Sequence, residues 1–202
     1  DTLQELGADI PVIAKIERDV AVDNVDSIID AAYGVMIARG DLGVEMPLED
    51  VPMVQKRIIR NCRNAGVPVI TATEMLDSMT ESRRPTRAEA SDVANAVLDG
   101  TDAVMLSGET AMGAHPPLVV ETMDRIVRDV ERSEEYREHI EQNVPEADVP
   151  QTDALARAAR YLVGDIDASA IVAASESGYT AQKVSKFRPS VPIVGSTPSD
   201  EV

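Results

Sequence analysis

Four pairs of polar residues recur at the ends of short apolar runs: Lys15 and Glu17, Arg39 and Asp41, Thr73 and Glu74, and Ser107 and Glu109. Period-2 alternation along an extended run puts Ile13, Lys15 and Glu17 on one face, so an ammonium and a carboxylate enter the same space. A structural ion pair has the same spelling. The second run ends in Ala38-Arg39-Gly40-Asp41-Leu42-Gly43, whose two glycines permit tight turns and expose consecutive N–H groups. Such a nest suits a carboxylate or a phosphate. Asp41 at its centre reads as a helix cap or, beside Glu17, as a ligand of a hard divalent cation such as Mg²⁺, with substrate oxygens completing the octahedron.

The elements that must position these groups follow from hydrophobic patterning. PVIAKIE (11–17), YGVMIAR (33–39), VPVITAT (67–73) and DAVMLSG (102–108) have strand length and are bounded by Gly, Pro or acidic residues. Helical patterns follow each of them: NVDSIIDAA; the stripe Leu48, Val51, Val54, Ile58, Ile59 and Cys62, ending before Gly66; RAEASDVANAVLDG; and PLVVETMDRIVRDVERSEE. Strand and helix alternating four times predict βαβ crossovers and a parallel sheet. In parallel β/α barrels the functional groups sit at the carboxyl ends of the strands, so the four polar pairs are expected to converge on one mouth.

Near residue 140 the character changes. Residues 142–150 are expected to be a linker, acidic and containing two prolines. A second α/β unit begins beyond it: helix TDALARAARYLVG, strand ASAIVAAS, helix YTAQKVSKF and strand VPIVGST. Between the first of these strands and the following helix, Ser175-Glu176-Ser177-Gly178-Tyr179-Thr180 offers hydroxyls and backbone N–H groups at a helix N-terminus, which favour a phosphate. Simple strand-to-helix capping is the other reading. A parallel sheet is normally covered on both faces, and the chain starts at Asp1 and stops just after its last strand, so it is expected to be an internal fragment of a longer protein.

Composition narrows the classes. A hydrophobic share of 44% supports a core, and 27% charged residues argue against global disorder. No apolar run approaches the ~20 residues of a bilayer span, and no signal peptide is legible at the start. The single cysteine, Cys62, cannot form an internal disulfide. A cytoplasmic protein with no membrane partner is expected. A net charge of −17 excludes nucleic acid as a partner, because phosphate backbones are bound by clustered basic residues. With 15 Arg against only 4 Lys, the acidic surface is similar to that of proteins from salt-accumulating, halophilic organisms; an ordinary acidic protein is the alternative.

The strings AKIE (14–17), GVMIARGDLGVEMP (34–47), VITATEMLDSM (69–79), RRPTRAEASDVANAVLDGTDAVMLSGETA (83–111) and SKFRPSVPIVGST (185–197) closely resemble the pyruvate kinase family. The resemblance runs almost end to end and is weakest between about residues 135 and 165. It implies the second half of a (β/α)8 TIM barrel over 1–141 and the beginning of a C-terminal regulatory α/β domain over 151–202. It also implies phosphoryl transfer from phosphoenolpyruvate to ADP, giving pyruvate and ATP, in a protein that is usually a homotetramer. K⁺ is implied as well, with its ligands and most nucleotide-binding groups on strands that this chain does not contain.

Position by position, Lys15 resembles the lysine that stabilises the transferring phosphoryl group and the enolate oxygen. Glu17 and Asp41 resemble the two carboxylate ligands of Mg²⁺ or Mn²⁺. Ala38, Arg39 and Gly40 correspond to the loop whose backbone helps hold the substrate carboxylate, and Thr73 to the threonine beside the carbon that is protonated. A threonine hydroxyl is a poor acid, so a water relay is expected, with Ser107 and Glu109 as candidate members or else as hydrogen-bonding supports. Ser175, Ser177, Gly178 and Thr180 resemble an effector-phosphate loop, in which Glu176 would oppose the phosphate. The alternatives are a metal-dependent pyruvate or enolate aldolase on the same barrel, and a non-catalytic assembly fragment.

Overall fold

The computed structural model describes residues 2–8, 10–145 and 150–199, and the chain divides into two units, Asp1–His139 and Ile140–Val202. In the first unit a short helix, α1 (Thr2–Glu5), precedes four strands: β1 (Ile13–Ile16), β2 (Gly34–Ala38), β3 (Val69–Ala72) and β4 (Ala103–Met105). They are parallel and lie side by side in chain order, with Lys15 opposite Met36, Ala38 opposite Ala72, and Ala72 opposite Met105. This is the order of four consecutive units of a (β/α)8 barrel. All four strands are shorter than the apolar runs that announced them, because the terminal residues of each run turn into the loops that carry polar groups.

The connections are helical, as the alternation requires. Helices α2 (Asp19–Asp23) and α3 (Val25–Ala31) join β1 to β2, and α4 (Arg39–Glu45) and α5 (Val51–Ala65) join β2 to β3. A 3-10 turn (Asp77–Thr80) and α6 (Arg87–Asp99) lead to β4, which is followed by α7 (Gly108–Ala111), α8 (Pro116–Arg132) and α9 (Glu134–Gln142). Helix α6 opens on a complete capping box, in which the Thr86 hydroxyl accepts from Glu89 N–H and the Glu89 carboxylate accepts from Thr86 N–H. Helices α5 and α6 stop at Gly66 and Gly100, both left-handed at φ 74° and 94°, a conformation glycine adopts without strain.

Burial follows strand position. β2 and β3 are almost wholly covered, whereas Ile13 on β1 is 51% exposed and β4 has no fully buried residue, since each of these strands has one neighbour. The outer layer packs Val22, Val25, Ile29, Ile58, Ile59 and Cys62 against Ile16, Val35, Ile37 and Val69. Burial, and then the nearby Asp102 and Asp26, push the Cys62 thiol up to about 12, which makes it an inert core residue. Leu48, expected in the α5 stripe, is instead exposed in the turn before the helix, where it lies across Gly43. A second cluster of Met75, Leu76, Met79, Val93, Ala96, Val119 and Met123 lies beneath the loops that follow β3 and β4.

The second unit contains α10 (Pro150–Asp165), β5 (Ile171–Ala174), α11 (Tyr179–Lys186) and β6 (Ile193–Ser196), with β5 and β6 parallel. Phe187, Val184 and Ala156 form its core. Inside it Lys186 Nζ meets Asp153 Oδ2 at 2.8 Å, with both side chains completely buried. Residues 146–149 of the expected 142–150 linker lie outside the described residues.

Candidate functional site

Lys15 stands on β1 and Glu17 just past its end, while Asp41 lies in the first turn of α4, which follows β2. Strand pairing brings these two carboxyl ends together. The Lys15 ammonium contacts the Glu17 carboxylate and lies 2.9 Å from Asp41 Oδ2. Hydrogen bonds to Glu17 and then Asp41 raise the Lys15 pKa, and all three side chains are about half exposed.

The Ala38–Gly43 segment differs from the expected nest. Gly40 and Gly43 lie within α4, and neither has a positive φ. The reason for glycine at position 40 is proximity: a Cβ there would sit 3.4 Å from Thr73 Oγ1, and the Gly40 N–H donates to that same oxygen at 2.8 Å. The left-handed residues come one loop later, where Thr73 and Glu74 have φ of 69° and 54°. Two successive non-glycine residues in that region carry strain on the order of 1–3 kcal/mol each, which the surroundings must hold in place.

Arg39 supplies much of that hold. Its side chain is 10% exposed and reaches the chain after β3. Nη2 donates to Thr73 O at 2.9 Å and contacts Met75 Sδ, while Nη1 donates to Asp92 Oδ1 at 2.7 Å and to Gln55 Oε1 at 3.4 Å. Gln55 in turn donates to Asp99. No sequence signal marks Asp92 and Gln55 for these supporting positions. Asp92 lies within the string 83–111, but nothing in its spacing says that α6 would bring it to Arg39.

Ser107 and Glu109 reach the same loop from the other side. Glu109 is 1% exposed; its Oε1 accepts from Leu76 N–H at 3.2 Å and its Oε2 from Ser107 N–H at 2.7 Å. Its carboxylate therefore ties the turn after β4 to the turn after β3. Ser107 Oγ is buried and has no hydrogen-bond partner among the described residues. Neither residue hydrogen-bonds to Thr73. In the second unit, Ser175 Oγ accepts from Thr180 N–H at 3.4 Å, Thr197 Oγ1 donates to Glu176 O, and Gly178 caps α11 at φ 77° without a side-chain bond. Ser177 is exposed.

The donor set fits a divalent metal in one specific respect. Two carboxylates from neighbouring strand ends are close enough to share a single ammonium, and among the described residues no group of three His, Cys, Asp or Glu gathers. A hard cation there would be held by two protein oxygens and would take its remaining ligands from substrate or water. No described helix is long and apolar enough to cross a membrane.

Four parallel strands in chain order, with charged groups gathered at their carboxyl ends, have the arrangement of part of a β/α barrel. The family described as pyruvate kinase, barrel domain, matches residues 1–120, and that described as pyruvate kinase, alpha/beta domain, matches residues 153–202. The chain belongs to the pyruvate kinase family. It is 50% identical over 194 residues to the pyruvate kinase of Sporosarcina psychrophila and 51% identical over 193 residues to that of Geobacillus stearothermophilus, covering 96% of this chain and 33% of each relative. A crystal structure of a pyruvate kinase from Cryptosporidium parvum superposes with a TM-score of 0.87 at 46% identity, covering 95% of this chain and 39% of that one. The chain thus spans about a third of the length of the curated relatives it matches. The aldolase reading finds no support among them.

Proposed function

We propose that the chain carries one half of a pyruvate kinase active site, and that the whole protein transfers a phosphoryl group from phosphoenolpyruvate to ADP. The observation that carries this reading is the convergence of Lys15, Glu17 and Asp41 at two adjacent strand ends, in a chain of this family. In the reaction the bond between phosphorus and the enol oxygen breaks, a bond from phosphorus to an ADP oxygen forms, and the enolate left behind takes a proton at its methylene carbon. A divalent cation, Mg²⁺ or Mn²⁺, held by Glu17 and Asp41 would supply charge stabilisation to the phosphoryl and enolate oxygens. Lys15 adds a positive charge beside them.

Backbone groups around Ala38, Arg39 and Gly40 orient the substrate carboxylate, and Thr73 stands beside them. Its hydroxyl oxygen accepts from Gly40 N–H, so its own hydrogen is not used in that bond. The Arg39 side chain acts by shaping the Thr73 turn, and we assign Glu109 the same supporting role. We assign the residues through α9 to the barrel half, the residues between α9 and α10 to a linker shorter than the expected 142–150, and the residues from α10 onward to the C-terminal domain, whose 175–180 loop is the candidate effector-phosphate site. The whole protein is read as a cytoplasmic homotetramer that also uses K⁺, and the acidic surface as an adaptation to salt.

The test is pyruvate formation from phosphoenolpyruvate and ADP with Mg²⁺ in concentrated KCl, run on this chain and on its full-length parent. Turnover in the parent is expected. Silence from a folded parent would sink the assignment.

A further inference from the structure

Two of the lysine–aspartate contacts among the described residues are built differently. Lys186 and Asp153 are both fully buried, so their pairing is locked by packing. Lys15 makes a similar contact with Asp41 and a second one with Glu17, yet it is 45% exposed and its partners are 43% and 51% exposed. An ammonium in that position can leave without opening the core and can be rehydrated as it goes. The oxygens it occupies are those on which the proposed function places the metal, and among the described residues no cluster of three His, Cys, Asp or Glu stands by to hold both cations at once.

We propose that Lys15 is a resident counterion that competes with the divalent cation for Glu17 and Asp41, so that cation entry and ammonium departure are one exchange. This rests on the metal reading above and adds a consequence to it. While no metal is bound, the ammonium keeps two like charges from repelling each other and holds both carboxylates in place. When the cation displaces it, the lysine is driven off those oxygens and becomes available to the incoming anion. Metal affinity in the absence of substrate is therefore kept low by the protein itself.

The experiment measures binding of Mn²⁺ alone to the full 202-residue chain by the loss of its free paramagnetic resonance signal, without substrate. Lys15→Met is expected to bind about tenfold tighter than wild type or better, since one unit of opposing charge at contact range is removed. Lys15→Gln, which keeps a polar side chain there, should show the same gain. Lys15→Arg should stay near wild type, and Glu17→Gln added to Lys15→Met should abolish the gain. Arg128→Met changes the net charge equally but removes a cation that pairs with Asp124 on α8, so a matching gain there would overturn the proposal. Equal or weaker binding in both Lys15→Met and Lys15→Gln, with Glu17→Gln still weakening wild type, would also overturn it and leave the metal reading standing. Indifference to Glu17→Gln in every background would remove the metal reading and this proposal together.

Discussion

Replacing Glu109 separates a supporting carboxylate from a chemical one. Its two oxygens accept from Leu76 N–H and Ser107 N–H, at 3.2 and 2.7 Å, in a site that is 1% exposed. Hydrogen bonds to a charged group contribute about 1.5–3 kcal/mol each, and the longer one belongs at the low end. Glu109→Ala, which also leaves both N–H groups buried and unpaired, should therefore destabilise the first unit by about 3–5 kcal/mol. Glu109→Gln keeps one acceptor oxygen and should lose about half of that. With a urea slope of about 2 kcal/mol/M, the alanine variant should unfold about 1.5–2.5 M earlier. Hydrogen exchange should show faster exchange at the Leu76 and Ser107 amides. If both variants cost less than 0.5 kcal/mol and leave those amides protected, the tethering argument is wrong. A full-length parent that keeps its stability but loses turnover on Glu109→Gln would point to the relay role instead.

Two further outcomes follow from the same reasoning. Lys186→Met leaves the Asp153 carboxylate buried without its cation and should cost about 3–5 kcal/mol in the second unit, while the double change Asp153→Leu/Lys186→Met should recover most of it, both read by urea unfolding. For Glu89, burial pushes the carboxyl up, but hydrogen bonds from Ser78 and Thr86 outweigh this and hold it below the ordinary carboxylate range. A depressed folded value means that its stabilisation is present above the unfolded pKa of about 4.3 and is lost as pH falls through the folded value. The gap in urea midpoint between wild type and Glu89→Gln should accordingly be open at neutral pH and close in acid.

What could be read in advance depended on whether a signal was local. The alternation of apolar runs and stripes and the stop before Gly66 each depend on neighbours in sequence, and each is found where expected; the Thr86-x-x-Glu89 box and the stop at Gly100 are equally local but emerge only in the structure. The strand-end rule brought Lys15, Glu17 and Asp41 to one place because period-2 alternation and parallel register are enough to locate them. The glycine spelling misled because glycine serves both left-handed turns and close approach, and Gly40 is the second kind. The strain at Thr73 and Glu74 has no compositional mark, and the Arg39–Asp92 contact joins residues 53 apart. Such contacts emerge only after the strands are in register.

Barrel loops are usually treated as exchangeable parts, each hung on its own strand and open to replacement without disturbing the others. Here the turn after β3 is gripped by Arg39 from the preceding loop and by Glu109 from the following one. Transplanting any one of the three onto another scaffold would leave an arginine or a carboxylate searching for a partner it no longer faces. The smallest transferable module of this site is therefore three consecutive loops together with the first two turns of α6, since Asp92 fixes the arginine that fixes the threonine. Variation in such a site has to come in sets, and a loop library that samples one connection at a time would score nearly every member as a folding defect rather than as a change of chemistry.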